Sequence, residues 1–320
     1  MNTFPTLLKR EFWEHKGGML WAPVVVGSLM LGAAGISAAI GLAAKDGDMQ
    51  VNGERIVADG HLLTTETQQQ IADGLAFAII PSLAPLAAVL AFVVLFYALG
   101  SLYDDRRDRS VLFWKSMPVS NTATVLSKLA SMAVVTPLIT ALVGIVVGTL
   151  IALVAAGTLS AFGANVLPEL LTTSEFYLAP LAVLAVIPVY ALWVLPSIAW
   201  CMAVSAWAKR APFLWAVGTP VLAGILLSWQ QAMFDRDLGA DWFWENIVGR
   251  LFGSFIPGMW FAFSGNAERV DDFQPTEQSV FELVSMSYAS LASPSLWIGV
   301  AAAAALVAVA IRLRRWREDA

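Results

Sequence analysis

Residues 103–129, YDDRRDRSVLFWKSMPVSNTATVLSKL, decide how the rest of the chain is read. Six consecutive charged positions, Asp104, Asp105, Arg106, Arg107, Asp108 and Arg109, give way to an apolar patch from Val111 to Trp114, a stop at Pro118 and a restart at Ser120. Apolar runs long enough to cross a bilayer lie on both sides, so the stretch is expected as a water-facing loop on one membrane face. Pro118 does not fit inside a helix, whereas Ser120 can accept from the free N–H groups of a following turn. Thr122 to Leu129 therefore reads as helix continuing into the next span. A short helix at the membrane surface, feeding a span, is the predicted product.

The composition of the whole chain agrees. Its 320 residues are 58% hydrophobic and 13% charged, with a mean hydropathy of +0.70, against about 25% charged in ordinary globular domains. Six apolar runs reach the roughly 20 residues that cross about 30 Å of hydrocarbon: Met19 to Ala43, Leu75 to Leu102, Leu129 to Gly157, Tyr177 to Trp207, Pro212 to Met233 and Pro294 to Ile311. The predicted fold is an all-α polytopic membrane protein, residues 1–320 forming one permease-like unit. Residues 1–18 form an N-terminal surface helix, 44–74 an outer loop, 103–128 an inner loop, and 234–293 a long outer segment with an amphipathic helix before the last span.

Basic residues set the predicted orientation, because Lys and Arg are retained on the cytoplasmic side. With the N-terminus inside, 14 of the 19 basic residues fall inside; only Lys45, Arg55, Arg236, Arg250 and Arg269 fall outside. Both termini are expected in the cytoplasm, across a bacterial inner membrane. The net charge of −5 conceals this asymmetry, since 17 of the 24 acidic residues fall in the outer segments. Nothing here points to nucleic acid. Cys201 is the only cysteine, which excludes an intrachain disulfide.

Several local patterns carry further expectations. Phe4, Leu7, Leu8 and Phe12 form an apolar side of the N-terminal helix, suited to the headgroup region and its lipid, with Glu11 and His15 intruding on that side as a local ion pair or a partner contact. Asn52-Gly53 signals a two-residue hairpin, and Thr65 with Gln68 resembles a capping box. His61 stands alone, with no metal-ligand set around it. In the third span Thr140, Gly144, Gly148, Ala152 and Ala156 recur in steps of four, a helix-packing seam within the subunit or between two copies. The fourth span carries Pro180, Pro188 and Pro196 and aligns Tyr190, Trp193, Ser197, Cys201 and Ser205. That stripe is either ordinary packing or a candidate substrate path along a bent helix. In the outer segment Trp244, Ile247, Val248, Leu251, Phe252 and Phe255 make an apolar face, with Glu245, Asn246, Arg250 and Ser254 opposite and Pro257 as the stop. This helix is expected to lie on, or dip into, the outer leaflet.

No Asp, Glu, Lys, Arg or His falls in the middle of a predicted span, which argues against a proton-relay carrier. The chain has no GxxxxGK[ST] loop, HExxH helix or GxSxG turn, so no catalytic residue and no metal site is assigned and the protein is not expected to be an enzyme.

The charged stretch followed by Pro-Val-Ser and Lys-Leu, DRRDRSVLFWKSMPVSNTATVLSKL, resembles the first cytoplasmic loop of ATP-binding-cassette exporter permeases of the type-two class. LLKREFWEHK is similar to that family's connecting helix, and six spans with both ends inside match its usual topology. Where many members have Gly-Thr after the charged stretch, this chain has Arg109-Ser110. The resemblance implies a permease, paired with a second copy, that binds no cofactor itself and is driven by a separate ATPase subunit carrying ATP and Mg. It also implies that Asp104 to Arg109, Lys115, Pro118, Val119 and Ser120 contact that ATPase. A gradient-driven carrier and a non-transporting membrane scaffold are the alternatives.

Overall fold

The computed structural model describes residues 3–43, 49–51, 54–56, 64–108, 120–237, 239–265 and 279–316. Six helical stretches are long and apolar enough to cross a membrane: Gly17–Ala43, Thr65–Arg107, Asn121–Ala161, Ser174–Trp207, Pro212–Phe234 and Pro294–Trp316, here spans one to six. The chain is thus an all-α polytopic membrane protein. Its N-terminal helix Thr3–Glu14 and span six both pack against the start of span three, Asn121–Ala130, at one end of the bundle, here the termini end.

Spans four and six form the most extensive helix pair. Around them Val94, Val125, Met132, Trp193, Ile198, Met202 and Leu296 make a core with almost no exposed surface. Spans one and five are peripheral. Leu29 and Ile36 of span one, and Leu214 and Leu222 of span five, are 60–69% exposed, as lipid-facing side chains of a bundle are.

The spans bend where the sequence removes backbone donors. Span two opens on Thr64, whose hydroxyl accepts from Thr67 N at 3.2 Å. The cap therefore lies one residue before the predicted Thr65, because Thr64 is the residue with extended backbone (φ −68°, ψ 155°). Helix Thr65–Phe77 breaks at a 3₁₀ turn, Pro81–Leu83, before Ala84–Gly100. Span three starts as predicted on Ser120, which accepts from Ala123 N at 3.1 Å. It widens into a π turn at Ser131–Val135 just before Pro137, which has no N–H with which to continue the ladder. Span four changes direction at Val186, between Ser174–Ala185 and Ile187–Trp207, next to Pro188.

The seam of small residues in span three packs within the chain. All five of its members are buried. A Cβ at Gly144 would lie 2.9 Å from Leu83, and one at Gly148 would lie 2.9 Å from Ser82 Oγ and 3.2 Å from Ile79 O. Only glycine admits the broken segment of span two this closely. Ala152 and Ala156 continue the contact into a second core with Ala72, Ala76 and Ile79. At the far end, Met49–Val51 pairs antiparallel with Glu54–Ile56, Val51 opposite Glu54, which is the register of a two-residue connection. Asn52, Gly53 and His61 lie outside the described residues.

Candidate functional site

The charged stretch does not face water as a whole. The long helix of span two, Ala84–Gly100, stops at Gly100, and the span closes in a second short helix, Tyr103–Arg107. At 100° per residue, adjacent charges on that helix point to different sides. Asp104, Arg107 and Asp108 are exposed, whereas Asp105 is largely covered and Arg106 is 5% exposed. The expectation of a wholly water-facing segment is corrected to that extent. The break between the two helices frees the N–H groups of Leu102 and Tyr103, and both donate to Ser205 Oγ in span four, at 3.1 and 2.9 Å. Arg106 crosses the same junction. Its Nη2 donates to Ser205 O at 2.6 Å and Ala208 O at 2.9 Å, closing the carbonyl end of span four.

Asp105 turns the other way. Its carboxylate takes Arg314 Nη1 from span six at 2.7 Å and Lys128 Nζ from span three at 3.5 Å. Lys128, 2% exposed, also reaches Glu11 Oε2 at 3.2 Å. Glu11, on the N-terminal helix, has no exposed surface; it accepts from Tyr97 OH of span two at 2.6 Å and pairs with Arg10 at 2.5 Å. The predicted local ion pair between Glu11 and His15 is not what forms. His15 Nδ1 donates to the backbone oxygen of Glu11 at 3.2 Å, its ring lies 4.1 Å from that of Tyr97, and the Glu11 carboxylate belongs to Lys128. Glu11, Glu14 and His15 do bring three ligand atoms within 4.8 Å of one another. Glu11's oxygens are already taken by three donors, so the group is part of the ion network rather than a metal centre.

One buried knot of charge therefore ties the N-terminal helix to spans two, three and six, and Arg106 adds span four. It stands at both feet of the loop between spans two and three. Ser120 caps the helix that delivers Lys128; Arg109, Lys115, Pro118 and Val119 lie outside the described residues.

The stripe on span four is filled. Tyr190 OH donates to Phe255 O at 3.1 Å, Trp193 Nε1 to Ser290 Oγ at 3.1 Å, Cys201 is fully buried in the core and Ser205 serves span two. Ser197 alone differs: its buried hydroxyl has no partner, and it lines a cavity.

That cavity belongs to a second polar centre, towards the far end. The helical segment Ala240–Gly253 packs against the bundle, with Trp244 over Gly224 of span five and its Nε1 donating to Ser228 Oγ at 3.0 Å. A π turn at Trp244–Gly249 adds a residue to the helical repeat, so Arg250 is carried inward instead of facing away from the apolar side as its periodicity predicts. Arg250 Nη1 donates to Ser295 O at 2.7 Å, and its guanidinium lies 4.8 Å from the centre of the Trp193 ring. No predicted span contains a mid-span charge, yet one reaches the bundle interior from the segment beside it.

Sequence periodicity missed the partners of Glu11, Tyr97, Lys128 and Arg314 because they lie far apart in the chain. The one available signal was Glu11 on an otherwise apolar helix face. Compared with protein-family models, curated proteins and solved structures, the chain finds no match. The class of protein established is a multi-pass membrane protein of six apolar helices.

Proposed function

We propose that this chain is the membrane-spanning permease subunit of an ATP-driven exporter of the ATP-binding-cassette type. It would work as a pair in the bacterial inner membrane, with its termini in the cytoplasm and a separate ATPase subunit supplying ATP hydrolysis. What supports this reading most is the way the loop between spans two and three is footed. Asp105, Lys128, Glu11 and Arg314 join its two feet to the N-terminal helix and span six, and Arg106 joins it to the end of span four. A force applied to such a loop moves five elements together, because a packed and hydrogen-bonded junction shifts as a unit. Asp104, Arg107 and Asp108 remain exposed for a soluble partner.

Co-purification with the ATPase encoded beside it tests the proposal, followed by ATP hydrolysis in lipid. The expected result is a stable, active complex that is lost when Arg107 and Arg109 become Glu and Pro118 becomes Ala, while the permease itself keeps its elution profile and melting temperature. A wild-type chain that binds no ATPase overturns the exporter reading and favours a gradient-driven carrier.

A further inference from the structure

Among the described residues, Arg250 is a cation without an anion. No carboxylate among the described residues comes within 4.0 Å of it. One of its nitrogens bonds Ser295 O, but Nε and Nη2 are buried with no hydrogen-bond partner. Gly299 lies five residues into span six, which places the guanidinium about 7 Å inside its far end. The space is shaped for it: a Cβ at Gly299 would collide with Arg250 Nη2 and lie 3.0 Å from Pro196. Guanidinium nitrogens enclosed without an acceptor are costly unless a counter-charge meets them.

Beside it lies a cavity of about 290 Å³ between spans four, five and six, lined by both Arg250 and Ser197. Each of these two residues carries buried polar atoms without hydrogen-bond partners, Arg250 at Nε and Nη2 and Ser197 at Oγ. Asn246 adds an amide, and the remaining walls are apolar, with Trp200, Pro220, Leu251 and Leu306 among them. Ile247 and Ile298, 39% and 70% exposed, stand on the lipid-facing surface as well as on the cavity wall, so the cavity communicates with the hydrocarbon.

We propose that this cavity binds the oxyanion headgroup of an anionic amphiphile, a carboxylate or phosphate on an acyl chain. Arg250 is the counter-ion, Ser197 a second donor, and the chain leaves between Ile247 and Ile298. A guanidinium offers two parallel N–H donors that fit a carboxylate or phosphate edge. Its terminal nitrogens turn towards the cavity as the anion arrives, and the Trp193 face keeps the cation in place from behind. A free inorganic anion fits less well, since most of the wall is apolar and access is from lipid. The site stands whether the bound amphiphile is cargo or a resident lipid, so it does not depend on the exporter reading.

Equilibrium binding to the full-length protein in neutral detergent tests this, with oleate, dioleoyl phosphatidylglycerol, dioleoyl phosphatidylcholine, methyl oleate and inorganic phosphate as probes. Oleate or phosphatidylglycerol is expected to bind at one site per chain, and which of them does identifies the headgroup; the two neutral-headgroup probes and phosphate are not expected to bind. Arg250→Gln weakens the anionic probe by about tenfold or more and Ser197→Ala by a few-fold, as loss of charged and neutral hydrogen bonds predicts. Ile298→Trp, which leaves the polar wall untouched, blocks the chain and also abolishes binding, so the proposal stays testable if the arginine variant does not fold. Equal binding of neutral and anionic probes, phosphate binding as tightly as the amphiphiles, or a folded Arg250→Gln protein of unchanged affinity each overturns it.

Discussion

The two ends of this bundle treat buried charge in opposite ways. At the termini end Glu11, Asp105, Lys128 and Arg314 are each almost fully covered or nearly so, and each meets at least one opposite charge from another element. At the far end Arg250 is enclosed by Trp193, Gly299 and Pro196 and has one backbone acceptor. A closed network of ions resists change because moving any member uncovers another. An open one is ready for a ligand. The first arrangement suits transmission of force through a rigid junction, and the second suits recognition.

The largest effect expected from breaking this contrast comes at Lys128. Lys128→Met leaves Glu11 and one side of Asp105 facing each other's negative charge without the shared ammonium, and is expected to lower stability by about 3–5 kcal/mol. Thermal unfolding of the purified protein in detergent measures it. The double variant Glu11→Leu, Lys128→Met removes the uncompensated charge too and leaves Asp105 with Arg314, so it should recover part of the loss, the remainder being the Tyr97 hydroxyl and Arg10 left without the Glu11 acceptor. If the double variant is as unstable as the single one, the network holds the fold by shape rather than by charge pairing.

Arg106→Met comes next. It leaves the Ser205 and Ala208 carbonyls without their donor at the end of span four, at about 1.5–3 kcal/mol. The same unfolding measurement reads it. A value near zero would mean that water takes the place of the guanidinium and that the junction is wet.

What could be read in the sequence follows from range. The spans were legible because a bilayer demands about 20 apolar residues in a row, and Ser120 was legible because a cap is a contact three residues long. Gly144 and Gly148 announced a close approach, though not that span two would fill it. Asp105 and Arg106 were visible as charges, but their burial depends on Lys128, Arg314 and Ser205, separated from them by 23 to 209 residues, which no local pattern encodes. Arg250 was misplaced for a different reason. Its helix has the right amphipathic repeat, and a single π turn shifts the phase so that a residue of the polar side enters the bundle.

Ser120→Ala tests a subtler point at the termini end, since the serine positions the helix carrying Lys128 without pairing any charge. Loss of its bond to Ala123 N is expected to cost about 1 kcal/mol. Amide hydrogen exchange should quicken in residues 121–124 and stay slow at 127–130, where the ion network takes over. Acceleration reaching Lys128 would show that the cap, and not the network, holds this end of span three.

The smallest stability loss is expected at Arg250, and that is where the comparison is sharpest. Arg250→Met gives up one hydrogen bond to Ser295 O and the contact with the Trp193 face, each on the order of 1 kcal/mol. It also relieves two buried N–H groups that have no acceptor, a desolvation penalty of about 1–3 kcal/mol for each. Two such penalties, about 2–6 kcal/mol together, equal or exceed the roughly 2 kcal/mol given up, so in unfolding of the delipidated protein a methionine there is expected to be neutral or stabilising. The same substitution made in protein saturated with an anionic amphiphile should be destabilising, because the wild type then gains the ligand's binding energy and the variant does not. A sign that differs between the two conditions separates a cation retained for a ligand from one retained for the fold. At Lys128, whose partners are built into the chain, no added amphiphile should change the sign.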